Sequence, residues 1–371
     1  MGALGIADDV IRRAGATAAV VAAATGVDVD ATQLLTGRAA LSGWSPRGRV
    51  SAGGATHLIR ASDGWCALTL SRDDDVAAVP ALLEADTPTA DPWPAVDLWA
   101  ARRPAADVVD RATLLDLPVA ALGEAEATPP RVLGCGTAGP SRGLEGLLVV
   151  DMTSMWAGPV CARLLGVGGA TVVKVESPAR PDGTRAGDPR FFDWINTGKL
   201  SYAVDFDADR DALWDLLAAA DIVLEGTRPD TLARRGLGPH DCPPRPGRVW
   251  LSITGHGGDS NRVAFGDDAA VAGGLVRHTV DGPAFVGDAI ADPLTGLTAA
   301  AAVVEALSHG GGVHIGVAMA AVAATYAAPT GVATDGTQDG APVPPPVTPH
   351  ACALGADNAA VLRLVAEKGW A

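Results

Sequence analysis

The chain is poor in the residue types from which several kinds of site are built. Its 371 residues contain five cysteines and seven histidines, and Phe, Trp and Tyr together account for 4%. The cysteines are odd in number, widely scattered and form no CxxC pair, which argues against a disulfide framework and a zinc site. The histidines show no HxH or HxxxH spacing, so no metal is expected. Unpaired cysteines favour a reducing, cytoplasmic location.

Positive charge and long apolar runs are also scarce. The formal net charge is -15, which would repel a nucleic-acid backbone, so no nucleic-acid partner is expected. An anionic ligand would have to be held by local donors. No stretch is long and apolar enough to span a bilayer, so no membrane partner is expected. Hydrophobic residues nevertheless make up 48% of the chain, which is enough for a sizeable core.

Two Pro/Gly-rich segments divide the chain. Residues 126–142 and 329–349 lack apolar periodicity and are typical of linkers. The sequence thus predicts a small α+β domain over residues 1–128 and a large Rossmann-like domain over residues 143–328. A linker and a C-terminal helix occupy residues 329–371.

The large block alternates strand-like and helix-like runs. Its apolar strand candidates cover residues 147–152, 171–176, 200–206, 221–226, 248–255 and 313–319. This alternation predicts an α/β fold in which a parallel sheet carries ligand sites at the carboxyl ends of its strands. In the small block, residues 48–70 predict a hairpin with Gly turns, and two short helices follow, the second over 93–115.

Two glycine-containing stretches follow the first strand candidate. The turn at residues 153–159 (TSMWAGP) comes directly after the strand, and its free N–H groups suit an anion or a carbonyl oxygen. An ordinary, well-capped helix start explains the same residues. The stretch GVGGA at residues 166–170 ends a helix instead of opening one, so it is interpreted as a C-cap and not as a dinucleotide site.

Asp292 stands at the start of a long Ala-rich helix, with Pro293 at the first helical position. As an N-cap it needs no further role. As a functional group it would be held ionised by the helix dipole and available as a nucleophile. Gly287 and Gly296 leave room near it for a bulky thioester. The local sequence leaves both interpretations open.

Two further charged clusters have both a structural and a functional interpretation, and for the acidic one the structural interpretation is favoured, because adjacent positions rarely supply the facing carboxylates of a catalytic pair. Asp267 and Asp268 begin another helix, and adjacent acids at a first turn are typical of solvated caps. Arg228, Arg234 and Arg235 are dense enough to clamp phosphate groups in an otherwise acidic chain. They equally suit a solvated helix face.

Taken in chain order, these motifs resemble the class III (CaiB/BaiF-type) CoA-transferases, the family of formyl-CoA and carnitine CoA-transferases and α-methylacyl-CoA racemase. The stretch DGWCALTL in the N-terminal block resembles the small domain of that family, which ordinarily follows the nucleotide-fold half; here the order is permuted. The matching stretches of the large block are residues 144–176, 196–205 (NTGKLSYAVD), 220–238, 266–275 and 286–297 (VGDAIADPLTGL).

The resemblance implies a function and a site. Asp292 would be the catalytic carboxylate, carrying anhydride and thioester intermediates. The backbones of Met155, Trp156 and Ala157 would line the CoA pocket, and Arg234 would meet a CoA phosphate. An acyl-CoA and a carboxylic acid acceptor would be the substrates, with no permanently bound cofactor, and the protein would be a homodimer.

Some positions depart from the family pattern and keep two alternatives open. Gly226 and Thr227 stand where an Asn–Phe pair is usual, and Ser177 and Leu200 each replace an arginine of other members. These changes suit a non-catalytic CoA-binding protein. An acyl-CoA racemase or epimerase is the other alternative, disfavoured because Asp267 stands where racemases have a histidine.

Overall fold

The computed structural model describes residues 4–85, 91–327 and 341–368. Its strands are β1 (Thr56–Arg60), β2 (Trp65–Thr69), β3 (Val119–Ala121), β4 (Arg131–Gly134), β5 (Leu148–Met152), β6 (Thr171–Glu176), β7 (Leu200–Ala203), β8 (Ile222–Glu225), β9 (Val249–Thr254), β10 (Arg277–Thr279), β11 (Gly282–Ala284) and β12 (Val313–Ala318). Its α-helices are α1 (Asp8–Thr25), α2 (Ala31–Ser42), α3 (Asp73–Ala77), α4 (Val79–Leu83), α5 (Trp93–Ala100), α6 (Ala105–Leu114), α7 (Ala157–Val167), α8 (Pro189–Asn196), α9 (Arg210–Ala219), α10 (Gly266–Ala272), α11 (Ala291–Ser308), α12 (Met319–Tyr326) and α13 (Asn358–Lys368).

A seven-stranded sheet forms the centre of the molecule, in the order β4-β12-β9-β8-β5-β6-β7. Six of its strands pair in parallel, and β4 pairs antiparallel to β12 at one edge. The chain winds outward from β5 in both directions, so the strand order reverses between β5 and β8. In open α/β sheets a ligand crevice forms at the carboxyl ends of the strands at such a switch point. The predicted α/β class and parallel sheet are confirmed.

Helices cover both faces of this sheet because its strands are apolar on both sides. Val149 and Leu251 point into the core shared with α1, α2, α7 and α11, whereas Val150, Val223 and Trp250 point into the core shared with α9 and α13. Near-continuous apolar runs are expected for parallel strands buried on both faces. No helix of the described residues is long and apolar enough to cross a membrane.

Small residues allow α11 to approach α7 closely. A Cβ on Gly296 would lie 2.4 Å from the carbonyl oxygen of Ala157, so the two backbones touch at this point. A Cβ on Gly158 would similarly lie 2.2 Å from the Thr153 side chain. Asp292 precedes Gly296 by about one helical turn on α11. The packing therefore sets Asp292 beside the start of α7.

The N-terminal block contains a three-stranded antiparallel sheet, β1-β2-β3, in which β1 and β2 form the predicted hairpin. Helix α1 lies elsewhere: its residues Val10, Ala14 and Val21 are buried in the core that α7 and α11 form against the large sheet. Most of that contact is made by α1 with α11. The N-terminal helices therefore build part of the surroundings of Asp292.

Three local predictions need correction. The 126–142 segment, predicted as a linker, contains strand β4, whose residues are all exposed and which is held by pairing with β12. The helix predicted over 93–115 is two helices, because Pro104 cannot continue α5 and instead precedes α6. Part of the second predicted linker, residues 329–340, falls outside the described residues. Beyond it the chain contacts α2, where the Val343 N–H donates to Thr36 Oγ1 over 2.9 Å and the Gln33 side chain donates to the Pro344 carbonyl oxygen over 3.4 Å.

Candidate active site

The turn after β5 occupies the switch-point crevice. Met155 has a left-handed backbone with φ 70°, which is uncommon for a residue other than glycine. Its N–H donates to both carboxylate oxygens of Asp182, at 3.2 Å each. After β8, a Cβ on Gly226 would lie 3.4 Å from Thr153, so the two loops meet. Such strained backbone persists only where its surroundings hold it, and it is concentrated at functional sites.

Two buried ion pairs lie next to the turn after β5 and stabilise it. Lys174 contacts Asp182 at 2.8 Å, and Lys199 contacts Asp151 at 3.0 Å. Each ammonium group also donates to a main-chain carbonyl of the turn or of the first turn of α7. Burial lowers the pKa of Lys199 to about 8, opposed by the charge of Asp151. Because both pairs are buried and hydrogen-bonded, loss of one partner would leave an uncompensated charge under the turn.

Asp292 is the second residue of α11, and its side chain is nearly enclosed, with 9% of the residue exposed. Gly266 lies directly against its carboxylate, since a Cβ on that glycine would be 2.4 Å from Asp292 Oδ2. Burial raises the pKa of Asp292 to about 7; Arg38 opposes this rise, while Asp267 and Asp288 add to it. A carboxylate with a pKa near neutrality in a small enclosed site is a candidate functional group.

The expectation that Asp292 caps the helix is corrected by two positions. Helix α11 begins at Ala291, and Ile290 is the N-cap. The side chain of Asp292 therefore does not cap the helix. The Asp292 N–H donates to the carbonyl oxygen of Ala289 over 2.9 Å. Ala289, which has a left-handed conformation, directly precedes this N-cap.

The interpretation of Asp267 and Asp268 as solvated caps is wrong. Asp267 accepts the Ala289 N–H at 3.0 Å, and burial raises its pKa to about 6. Asp268 departs further from a solvated cap. It does cap α10, accepting from the Phe265 N–H at 3.0 Å, but it is fully buried. Its Oδ1 also accepts from the Thr69 hydroxyl at 3.1 Å, and its Oδ2 has no hydrogen-bond partner among the described residues. Burial raises the pKa of Asp268 to about 8, so it is largely protonated at neutral pH.

Arg38 on α2 supplies positive charge to this acidic cluster. Its guanidinium makes two hydrogen bonds to the buried Asp288, with Nε–Oδ2 at 2.8 Å and Nη2–Oδ1 at 2.5 Å. The same group lies over the ring of Trp156, 4.5 Å from its centroid, and within 5.5 Å of the Trp44 and Phe191 ring centroids. Arg38 thus connects Asp288, four residues before Asp292, with Trp156, the N-cap residue of α7.

The three clustered arginines separate in the structure. Arg235 pairs with Asp207 at 2.7 Å, and Arg228 pairs with Asp116 at 3.1 Å. Arg234 is exposed, and no side chain in the described ranges forms an ion pair or hydrogen bond with its guanidinium. The main-chain carbonyl oxygen of Arg235 also accepts a hydrogen bond from the side chain of Arg210, at the start of α9. This contact sets the cluster at the carboxyl edge of the sheet, because α9 begins after β7 ends.

The structure thus brings Asp292 together with the turn that carries Met155, Trp156 and Ala157, and it sets Arg234 along the same edge of the sheet. Sequence reasoning did not find Arg38 or Asp288. No local signal identifies Arg38, an arginine in an Ala-rich helix, because its role comes from a contact across 250 residues.

This fold and site define a nucleotide-fold α/β protein with a buried carboxylate beside its switch-point crevice. Residues 144–368 match the family model "CoA-transferase family III", and the chain belongs to that family. The family resemblance of the motifs is confirmed.

Curated relatives carry CoA-transferase names. Succinyl-CoA:glutarate CoA-transferase of Mus musculus is 35% identical over 180 residues, which are 44% of this chain and 41% of the relative. Formyl-CoA:oxalate CoA-transferase of Afipia carboxidovorans is 31% identical over 198 residues, 48% of this chain and 47% of the relative. The chain therefore spans less than half the length of these relatives.

Solved structures of the family are also similar in part. The crystal structure of Rv3272 from M. tuberculosis has 32% sequence identity and a TM-score of 0.46, covering 50% of this chain and 56% of that one. A CaiB/BaiF family protein from Brucella suis has 27% identity and a TM-score of 0.44, covering 51% of this chain and 55% of that one.

The raised pKa of Asp292 predicts a stability change with a definite sign. The folded state holds this proton more tightly than the unfolded chain does, so ionisation of Asp292 costs stability as the pH rises from about 4 through about 7. Asp292→Asn is expected to be more stable than wild type by about 4 kcal/mol at pH 8 and by only about 1 kcal/mol at pH 4.5. Thermal or urea unfolding at both pH values measures this.

Asp211→Asn is the matched control, because the Asp211 side chain is fully exposed. Its unfolding free energy is expected to follow that of the wild type at both pH values. A lower stability of Asp292→Asn than of wild type at pH 8 would contradict the buried, raised-pKa carboxylate.

Proposed function

We propose that this protein is a CoA-transferase that moves CoA from an acyl-CoA donor to a carboxylic acid acceptor through covalent intermediates on Asp292. The observation that carries the proposal is the placement of the Asp292 carboxylate. It is enclosed, packed against Gly266 and set beside the start of α7, directly after the switch-point turn. The names of the relatives, which are CoA-transferases for succinyl, glutarate, formyl and oxalate groups, support the same chemistry.

The reaction balances as four acyl transfers. The ionised Asp292 attacks the thioester carbonyl of the donor, the C–S bond breaks, and CoA thiolate leaves an acyl-aspartyl anhydride. The thiolate attacks the aspartyl carbonyl, which releases the donor carboxylate and forms an aspartyl-CoA thioester. The acceptor carboxylate displaces CoA thiolate from it as a second anhydride. The thiolate then attacks the acceptor carbonyl, giving the new acyl-CoA and free Asp292.

The surroundings of Asp292 suit each of these steps. Attack requires the ionised carboxylate, and a pKa of about 7 leaves a large ionised fraction at neutral pH. The low exposure of the site limits water, which would otherwise hydrolyse an anhydride. Gly266 and Gly296, where a side chain would collide with Asp292 or α7, keep the walls of the site close to the reacting group.

For the CoA substrate, we propose that the backbones of Met155, Trp156 and Ala157 line the pocket and that Arg234 meets a phosphate group. Met155 lies on the surface at the turn, and its conformation is held by Asp182. Arg234 supports this assignment because its guanidinium, unlike those of Arg228 and Arg235, is not occupied by a carboxylate of the described residues.

The domain division at residues 128 and 143, the permuted order and a cytoplasmic homodimer belong to the same proposal, with α1 and α2 packed on the large domain and not within the small one. Arg38 and Thr56 support the permuted order, since both come from the N-terminal block and face the acidic cluster. Sedimentation equilibrium of the purified protein tests the dimer: a monomer mass across micromolar concentrations would contradict it.

Arg234→Ala is expected to raise the KM for an acyl-CoA about tenfold and to change kcat less than about threefold, because the arginine contacts the nucleotide end and not the thioester. With an acyl-pantetheine thioester, which lacks the nucleotide phosphates, the variant and the wild type are expected to have the same KM. Steady-state kinetics with both substrates measures this.

Arg235→Ala serves as the matched control, because it removes a neighbouring arginine that is paired with Asp207. It is expected to leave both KM values within about twofold of wild type. An equal rise in the KM for acyl-CoA in Arg234→Ala and Arg235→Ala would contradict a specific contact between Arg234 and a CoA phosphate.

Transfer kinetics test the proposed function. The purified protein is assayed with a panel of acyl-CoA donors and carboxylic acids, and we expect at least one pair to give parallel double-reciprocal lines, as a covalent intermediate requires. Loss of an α-deuterium label to solvent without an acceptor would favour a racemase instead. CoA binding with neither reaction would favour a non-catalytic CoA-binding protein.

A further inference from the structure

The turn that precedes Asp292, residues 287–290, is held by groups that are distant in sequence. The Gly287 N–H donates to the carbonyl oxygen of Leu4 over 2.7 Å. Asp288 accepts the two hydrogen bonds of Arg38, described above. The next residue in the turn, Ala289, is held by Asp267. We name residues 287–290 the catalytic turn.

Ala289 carries the strain of the catalytic turn. Its φ is 41°, in the left-handed region that a residue with a Cβ adopts only at a cost. Its carbonyl oxygen accepts the Asp292 N–H at 2.9 Å. The direction of this carbonyl, and with it the start of α11, depends on Ala289 keeping that conformation. A relaxed Ala289 would therefore reorient the carboxylate of Asp292.

Asp267 is placed to hold that conformation. Its Oδ1 accepts the Ala289 N–H at 3.0 Å, and its Oδ2 accepts from the Thr56 hydroxyl of β1 at 3.4 Å. The first contact fixes the strained residue, and the second ties it to the N-terminal sheet, outside residues 144–368. The same device is present at the switch-point turn, where Asp182 accepts the N–H of the left-handed Met155.

We propose that Asp267 is a positioning residue, which holds Ala289 in its left-handed conformation and thereby directs the Asp292 carboxylate toward the thioester. The proposal rests on the proposed function for its catalytic part. Asp267 acts through the catalytic turn, since both of its oxygens are engaged by the backbone of Ala289 and the hydroxyl of Thr56.

Substitutions at Asp267 distinguish its role as a hydrogen-bond acceptor for Ala289 from an effect of its negative charge. Asp267→Ala removes the acceptor of the Ala289 N–H, and we expect kcat for CoA transfer to fall about 100-fold with KM within about threefold of wild type. Asp267→Asn keeps an oxygen that accepts the same hydrogen bond, so its kcat is expected to stay within about fivefold of wild type.

A second substitution tests the conformation directly. Glycine adopts the left-handed region without cost, so Asp267→Ala combined with Ala289→Gly is expected to recover at least tenfold in kcat over Asp267→Ala alone. The kcat of Ala289→Gly alone is measured as the reference for the double variant. An equal loss in the alanine and asparagine variants, or no recovery with glycine, would overturn the proposal.

Amide hydrogen exchange supplies a readout that does not depend on activity. Exchange in the peptide that contains Ala289 is expected to be at least tenfold faster in Asp267→Ala than in wild type and close to wild type in Asp267→Asn. Unchanged exchange in Asp267→Ala would overturn the proposal that Asp267 holds Ala289, even if activity falls. If the wild type transfers no CoA but the expected exchange pattern is observed, Asp267 does hold Ala289 and the proposed function fails.

Discussion

Asp292→Ala is expected to lower kcat for CoA transfer by at least about 10³-fold while the affinity for CoA stays within about threefold. The reason is that the carboxylate forms both the anhydride and the thioester, and no other group at the site can replace it in those bonds. Asp267 and Asp268 are engaged in hydrogen bonds to the backbone and to threonine hydroxyls. Steady-state transfer kinetics and calorimetric titration with CoA measure the two quantities.

The CoA affinity is the control in this experiment, because it shows that the variant is folded and that its pocket is intact. Asp292→Asn extends the control, since it keeps the shape of the side chain. More than one-tenth of wild-type activity in either variant would remove Asp292 from the chemistry. Loss of CoA binding together with activity would leave a structural role for Asp292 instead.

Gly266→Ala is expected to lower kcat about 100-fold. A Cβ at this position would lie 2.3 Å from the carbonyl oxygen of Ala289 and 2.4 Å from Oδ2 of Asp292. Real Cβ atoms do not approach backbone atoms so closely, so the catalytic turn and the Asp292 carboxylate would both have to move. A displacement of about 1 Å at a reacting group costs roughly 10²-fold in rate. Transfer kinetics of the purified variant measure the effect.

Gly15→Ala is the matched control for this substitution. Gly15 lies inside α1, and a Cβ there would meet no atom within 4 Å. Its activity is expected to stay within about twofold of wild type, with a gain in stability of roughly 0.5–1 kcal/mol. Wild-type activity in Gly266→Ala would show that the contact between Gly266 and Asp292 does not set the position of the carboxylate.

The sequence was sufficient to predict the central sheet, because its six parallel strands are apolar on both faces and alternate with helices. Strand β6, for example, has the predicted limits of residues 171–176. Strand β4 was missed for a physical reason. It lies in a Pro/Gly-rich segment, is wholly exposed and owes its conformation to pairing with β12, which is a long-range contact.

The candidate site likewise has a part that could be predicted from the sequence and a part that could not. Asp292 and the turn with Met155 could be proposed from the sequence because each combines a strand or helix end with a recognisable family motif. The surroundings of Asp292 could not be found, since they come from packing. Arg38 reaches Asp288 from a helix 250 positions away, and the burial of Asp268 follows from the way β2 covers the start of α10. Adjacent acids look alike in a sequence whether they are solvated or enclosed.

Peptide mass spectrometry tests the covalent role of Asp292 most directly. The protein is mixed with productive acyl-CoA, trapped with hydroxylamine and digested, and Asp292→Ala is treated in parallel. A CoA thioester or a hydroxamate on the peptide that contains Asp292, absent from the variant, is the predicted result. An adduct on another residue, or no adduct during measurable CoA transfer, would contradict the mechanism on Asp292.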